Sequence, residues 1–127
     1  MKAVEINKTG GPEVLELKNI TLDKPEPNEV TIEQKAIGLN YIDTYHRSGL
    51  YPLKLPIGLG LEGAGIITDV GENVKDFKVG DKISYAGIPL GSYSTHRNYP
   101  TKNLVKVPDS IDLEVAATLM TKGLTTF

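Results

Sequence analysis

The sequence predicts a mainly β (α+β) fold, in which short strands form a small barrel or sandwich and two helices interrupt them. Short runs of mixed apolar and polar residues recur along the chain, each bounded by Gly, Pro or Asn, and this pattern is typical of many short strands. The 13 glycines and 8 prolines among the 127 residues supply those boundaries. Helical signals occur at two places, after residue 40 and after residue 110.

The first strands are predicted at residues 2–6 and 14–17, two short mixed runs. Gly10-Gly11-Pro12 separates them, which indicates a hairpin. The segment Pro25-Glu26-Pro27-Asn28 is typical of a loop and precedes the next strand.

Residues 30–37 form a predicted strand whose side chains alternate between the core and the solvent. The residues expected to face the core are Val30, Ile32 and Ala36, and those expected to face the solvent are Thr31, Glu33 and Lys35. Strand patterns recur at residues 82–86, 92–99 and 104–107.

Residues 59–82 carry glycines among β-branched residues, namely Gly60, Gly63, Gly65, Gly71 and Gly80. Glycine weakens a strand and occurs there mainly where the backbone turns sharply or approaches another surface. We therefore expect a strand in this segment that another part of the structure approaches closely.

Two helices are predicted. Asn40 suits the N-cap of a helix over residues 41–48, Asp43 places a carboxylate near the amide-rich end, and Gly49 ends the helix. The second helix starts from about residue 111 and runs almost to the end of the chain. Its apolar positions have the spacing i, i+3, i+4, i+7 and are Leu113, Ala116, Ala117 and Met120.

Composition indicates a globular domain and excludes several functions. With 39% hydrophobic residues and a net charge of −2, the chain lacks the basic stripe that would attract nucleic acid or an anionic membrane. No apolar stretch matches a signal peptide or a membrane span of about 20 residues, so a cytoplasmic protein is expected. The absence of cysteine excludes disulfides and cysteine-ligated zinc.

Four segments resemble the catalytic domain of the medium-chain dehydrogenase/reductase family. They are Gly10-Gly11-Pro12-Glu13-Val14-Leu15, Gly38-Leu39-Asn40-Tyr41-Ile42-Asp43-Thr44-Tyr45, Gly60-Leu61-Glu62-Gly63-Ala64-Gly65 and Lys122-Gly123-Leu124-Thr125. In this order and spacing they look most similar to the NADPH:quinone oxidoreductase, zeta-crystallin-like branch. The resemblance can be followed over residues 1–127.

The resemblance implies a GroES-like, partly open β-barrel with short helices, in which residues 1–127 form the N-terminal catalytic domain. The activity it implies is zinc-independent hydride transfer from NADPH to a quinone. The family's nucleotide-binding Rossmann domain would begin just beyond Phe127, and no Gly-x-Gly-x-x-Gly follows a strand in this sequence. We therefore expect the catalytic domain alone, with weak or no NADPH binding.

The zinc ligands of zinc-dependent relatives are replaced in this sequence. In those relatives a cysteine lies in the segment that matches residues 38–43, and a histidine lies between the residues that match Gly60 and Glu62. The two positions hold Asn40 and Leu61 here. Since an amide is a poor zinc ligand and leucine is none, we expect no zinc and an acceptor that needs little activation, such as a quinone.

Three residues are candidates for the site. Asn40 would lie beside the nicotinamide and the acceptor, with its amide offering both a donor and an acceptor group; the alternative is a plain helix N-cap. Tyr45, one turn beyond Tyr41, would bond a quinone oxygen in the same cleft, or else be a core or rim aromatic. Thr125 by resemblance contacts the cofactor; the alternative is an ordinary helix end at Gly123.

The remaining polar residues of these segments are interpreted as structural, and they are Asp43, Glu62, Arg47, His46 and His96. The two histidines lack any metal-ligand spacing. Tyr51 is a weaker candidate for the cleft.

The residues leave the acceptor open between a quinone, an enal and an enoyl thioester. A different class of function also fits, a truncated, non-catalytic binding or oligomerisation module. The end of the last helix carries the apolar residues Leu119, Met120, Leu124 and Phe127, which would drive homo-oligomerisation if left uncovered.

Overall fold

The computed structural model describes the backbone of residues 1–126 and the side chains of residues 1–123. The strands in this range are β1 (Lys2–Ile6), β2 (Glu16–Asn19), β3 (Glu29–Gly38), β4 (Ile57–Gly58), β5 (Glu62–Val70), β6 (Lys82–Ala86), β7 (His96–Pro100) and β8 (Val105–Lys106). The helices are α1 (Tyr41–Ser48) and α2 (Leu113–Thr126). Neither of these helices is long and apolar enough to cross a membrane.

The strands form two antiparallel sheets that meet along one line. The smaller sheet has the order β2-β1-β4, and the larger has the order β7-β3-β5-β6-β8. The sheets are joined where residues 2–4 lie beside residues 93–95, for example by the hydrogen bond from the Thr95 N–H to the Lys2 carbonyl over 2.8 Å. We call these two segments the seam. The sheets do not close into a full barrel, so the predicted mainly β, partly open barrel is confirmed.

The main core lies between β3, β5 and β6. Val30 and Ile32 are fully buried there, as predicted, and pack with Ile67. The register of β3 against β5 shifts between Gln34 and Ala36, and Ala36 is partly buried in a second cluster beneath α2.

Close contact between neighbouring strands accounts for a glycine of β5. A β-carbon at Gly65 would overlap the carbonyl oxygen of Glu33 in β3. The expectation that another part of the structure approaches this strand is confirmed, and the neighbour is β3 of the same sheet.

The predicted hairpin near the N-terminus is confirmed, because β1 and β2 are consecutive strands that pair antiparallel. Residues 7–15 join them and include a 3₁₀ turn at Pro12–Val14. Because this turn takes up Val14, β2 starts only at Glu16.

The last two strands are shorter than the predicted runs at residues 92–99 and 104–107. Residues 93–95 bond to β1 at the seam, so β7 begins at His96. A 3₁₀ turn at Thr101–Asn103 follows, and β8 keeps two residues.

Both helices lie where the sequence predicts them. α1 begins after Asn40 and ends at Gly49, whose φ of 88° is left-handed. α2 begins at Leu113, slightly later than the expected start near residue 111, because a turn closed by the carbonyl of Pro108 precedes it. The predicted apolar side of α2 packs on β5 through its two buried alanines.

Candidate functional site

The predicted site at Asn40 lies where the end of β3, the start of β5 and α2 meet. Asn40 occupies the N-cap of α1, and its side-chain amide has two partners of opposite character. Nδ2 donates a hydrogen bond to the Glu62 carboxylate over 3.0 Å, and Oδ1 accepts one from the Lys122 ammonium over 3.4 Å. Asn40 therefore links a buried anion to an exposed cation.

Glu62, the first residue of β5, is fully buried. Its Oε1 accepts the hydrogen bond from Asn40, and its Oε2 accepts one from the backbone N–H of Thr121 in α2 over 2.9 Å. Both carboxylate oxygens thus have a donor, which a buried charge requires. Space for this carboxylate depends on Gly38, since a β-carbon there would overlap both Glu62 and the Ala117 carbonyl.

Asp43 holds the N-terminus of α1. It is 4% exposed, and its Oδ2 accepts hydrogen bonds from the Asn40 N–H over 3.0 Å and from the Tyr93 hydroxyl over 2.5 Å. Burial and, after it, the hydrogen bond to this carboxylate raise the pKa of the Tyr93 phenol well above its usual range. Asp43 therefore fixes the backbone of Asn40, while Glu62 holds its side chain.

Tyr45 lies apart from the recess beside Asn40. That recess has a volume of about 170 Å³ and is lined by one side of α1, with Tyr93 opposite. Tyr45 is 37% exposed, and its ring packs edge-on against Tyr51 with the ring centroids 5.5 Å apart. The structure thus groups Tyr45 with Tyr51 and does not bring it into the recess beside Asn40.

The remaining predicted residues contribute less to this geometry. The side chain of Thr125 lies outside the described residues. His46 is buried, with its ring 6.1 Å from that of Tyr51, and His96 contacts Thr95 over 3.1 Å. Among the side chains described, no group of three or more His, Cys, Asp or Glu residues is placed to hold a metal ion.

The sequence did not indicate Lys122 or Tyr93 as individual site residues. Each reaches the site from a distant part of the chain, since Lys122 is 82 positions from Asn40 and Tyr93 is 50 positions from Asp43. The one signal toward Lys122 was its place in the Lys122-Gly123-Leu124-Thr125 segment, which by resemblance runs under the nicotinamide.

The fold is that of an alcohol dehydrogenase GroES-like domain. Residues 26–109, well over half of the chain, match the family model of the alcohol dehydrogenase GroES-like domain. The chain belongs to this family, and the predicted GroES-like fold is confirmed.

Similar proteins confirm the resemblance to quinone oxidoreductases. The quinone oxidoreductase of Pseudomonas aeruginosa is 52% identical, over 98% of this chain and 39% of the relative. The 2-haloacrylate reductase of a Burkholderia species is 41% identical, over 97% of this chain and 39% of the relative. The crystal structure of Escherichia coli quinone oxidoreductase complexed with NADPH superimposes with a TM-score of 0.96 at 48% identity, over 98% of this chain and 39% of that one. The chain therefore spans well under half the length of these relatives.

Proposed function

We propose that residues 1–127 are the N-terminal catalytic domain of a zinc-independent NADPH:quinone oxidoreductase. The observation that carries the proposal is the neutral Asn40 amide, held between Glu62 and Lys122 where zinc-dependent relatives place a cysteine ligand. The identity to quinone oxidoreductases over nearly the whole chain supports it. In this proposal α2 leads toward a nucleotide-binding domain.

The described residues suit one end of NADPH. A pyrophosphate binds best at a helix N-terminus whose N–H groups are free and whose first turn lacks acidic side chains. Both helices fail this condition, because the first turn of α1 holds Asp43 and that of α2 holds Glu114. The polar groups at Asn40 suit the uncharged carboxamide of the nicotinamide, and the phosphates would bind in the nucleotide-binding domain.

Bound NADPH supplies the hydride, and the residues of this chain position the acceptor. The Asn40 amide has a second Nδ2 proton besides the one that bonds to Glu62, and we assign it to a carbonyl oxygen of the acceptor. The Lys122 ammonium lies 3.4 Å from Oδ1 of Asn40. Its positive charge would stabilise the negative charge that develops on the carbonyl oxygen of the acceptor. Thr125 would lie near the nicotinamide.

A quinone is the acceptor that this arrangement suits best. Its ring is electron-poor, so positioning and hydrogen bonding suffice without a Lewis acid.

In line with this, metal analysis after mild chelation should find well below one zinc per chain, and one tightly held zinc would contradict the zinc-free site. A second candidate is an activated alkene, favoured by the similarity to a 2-haloacrylate reductase.

The test is a chimaera in which this chain replaces the matching segment of the P. aeruginosa quinone oxidoreductase. We expect saturable NADPH oxidation with 1,4-benzoquinone and much slower oxidation with 2-chloroacrylate. Asn40→Ala should lower kcat/KM roughly tenfold, equivalent to about 1.4 kcal/mol of transition-state stabilisation. The matched control is Asn73→Ala on an exposed loop, which should leave kcat/KM unchanged.

The contrary outcome is a folded chimaera that binds NADPH and yet oxidises it no faster than buffer with either acceptor. That result would favour the alternative class of function, a non-catalytic binding or oligomerisation module. The reverse preference, for 2-chloroacrylate, would support the alkene as acceptor.

A further inference from the structure

We propose that Glu62 is a positioning residue that fixes the orientation of the Asn40 amide and thereby its free N–H toward the acceptor. The inference rests on the proposed function for Asn40 and adds a residue to it. Glu62 itself touches neither acceptor nor cofactor in this proposal, because it is fully buried behind Asn40.

The partners of Asn40 determine which way its amide points. A carboxylate can only accept a hydrogen bond, and an ammonium can only donate one. Nδ2 faces Glu62 and Oδ1 faces Lys122. An amide turned by 180° would set oxygen against carboxylate and NH₂ against ammonium, so both contacts would become repulsive. Two independent groups therefore select the same orientation.

Glu62 is the stronger of the two partners. Its hydrogen bond with Asn40 is charge-assisted, measures 3.0 Å and lies in a buried environment of low dielectric. The contact with Lys122 is 3.4 Å long, and the lysine side chain is exposed to solvent, which weakens it. The orientation of Asn40 thus depends mainly on Glu62.

Glu62 can fulfil this role because it is itself immobilised. Its Oε2 accepts the Thr121 N–H over 2.9 Å, and the close approach of Gly38 and the Ala117 carbonyl leaves its side chain little freedom. A catalytic amide held by a fixed neighbour keeps the geometry that hydride transfer needs.

The first experiment uses the 127-residue chain and ¹⁵N NMR, with no acceptor present. We expect one Asn40 side-chain proton to exchange with solvent at least tenfold more slowly than those of exposed Asn73. Glu62→Gln should abolish this difference, because the glutamine amide has one oxygen for two donors and the Thr121 N–H is fixed in α2. Glu72→Gln, at an exposed position, is the control and should change nothing. Equal exchange at the two asparagines in the unmutated chain would overturn the proposal.

The second experiment is a double-mutant cycle in the chimaera. Glu62→Gln and Asn40→Ala should each lower kcat/KM for 1,4-benzoquinone about tenfold, and the double variant should be no worse than Asn40→Ala alone. If Glu62 had a merely structural role, Glu62→Gln would lower kcat/KM further in the Asn40→Ala background. That outcome would contradict the proposal. Glu62→Asp, which keeps the charge but shortens the reach, should reproduce the loss if Glu62→Gln does not fold.

The two experiments separate this inference from the proposed function. A chimaera without quinone reduction contradicts the function, while the NMR measurement still decides whether Glu62 orients Asn40. An active chimaera in which the effects of Glu62→Gln and Asn40→Ala add contradicts the positioning role and leaves the function in place.

Discussion

The proton of the Tyr93 hydroxyl is held more tightly in the folded chain than in the unfolded one. Burial and the hydrogen bond to Asp43 raise the pKa of the phenol in the folded state. An unfolded tyrosine ionises at about pH 10. Because the folded pKa is the higher one, the stability that depends on this proton is complete below about pH 10 and is lost as the pH rises beyond it.

We therefore expect the free energy of unfolding to fall above about pH 10, and Tyr93→Phe to remove part of that fall. At neutral pH the same substitution should lower the free energy of unfolding by about 1 kcal/mol, because Asp43 loses a hydrogen-bond donor. Urea unfolding followed by circular dichroism at neutral and alkaline pH measures both effects. Tyr41→Phe, at a residue 84% exposed, is the control. An unchanged alkaline dependence in Tyr93→Phe would contradict the role of this proton.

The sequence made Asn40 a candidate site residue but did not predict the partners of its side chain. A capping residue followed by a helix is a local pattern, and the resemblance marked the same position as a lost zinc ligand. Its partners could not be read from local patterns, since Glu62 is 22 positions away and Lys122 is 82. Tyr45 was expected in the same cleft from helical spacing, but spacing along one helix does not determine which side packs against Tyr51.

At the scale of elements, the pairing of β3 with β5 leaves no room for a side chain at Gly65. The obstacle is the backbone oxygen of Glu33, which cannot rotate away as a side chain could. These two neighbouring strands would have to separate to admit even a methyl group.

Gly65→Ala should therefore lower the free energy of unfolding by roughly 1–3 kcal/mol, the usual range for overpacking a core. Gly123→Ala is the matched control, because a β-carbon at this α2 position meets no atom within 4 Å. It should raise the free energy of unfolding by up to about 1 kcal/mol through helix propensity. Thermal unfolding of both variants and of the unmutated chain measures these changes in stability. If Gly65→Ala were as stable as Gly123→Ala, the close contact between β3 and β5 would not be real.

Elements with a clear local pattern were predictable, and elements that depend on a distant partner were not. β1, β6, α1 and most of α2 follow from periodicity and capping residues. β4 has two residues and forms because it pairs with β1, which no local pattern reveals. The burial of Arg97 also has no local signal. A charged side chain is usually exposed, yet Arg97 is buried with its guanidinium 5.2 Å and 4.8 Å from the ring centroids of Tyr85 and Tyr99.

At the scale of the whole molecule, we expect the 127-residue chain alone to reduce no quinone at an enzymatic rate. Preorganisation of nicotinamide and acceptor can supply roughly 7–11 kcal/mol of the barrier. Asn40 and Thr125 would contact only the nicotinamide end of NADPH, so most of its binding free energy would come from a nucleotide-binding domain. Calorimetry should detect weak or no NADPH binding, and turnover of 1,4-benzoquinone should equal the uncatalysed rate. Saturable turnover by this chain alone would contradict the proposal.

The exposed side of α2 leads to a further expectation for the whole molecule. Val115 and Leu119 lie one turn apart and are each 49% exposed, and apolar surface of this kind favours association. Leu119→Lys should shift the chain toward the monomer in light scattering at concentrations where the unmutated chain associates. Thr118→Lys, at the neighbouring exposed position, adds the same charge without removing apolar surface and should have a smaller effect. An unmutated chain that remains monomeric would rule out association through α2.

The seam has a consequence for the order of folding. It joins Lys2 to Thr95, 93 positions apart, and Val4 to Tyr93, whereas β3, β5 and β6 lie closer together along the chain. Closing so long a loop loses more conformational entropy, so contacts of this kind tend to form late. The smaller sheet should therefore dock onto an already formed larger sheet, and backbone amides of β1 and β2 should lose their protection against deuterium before those of β3 and β5.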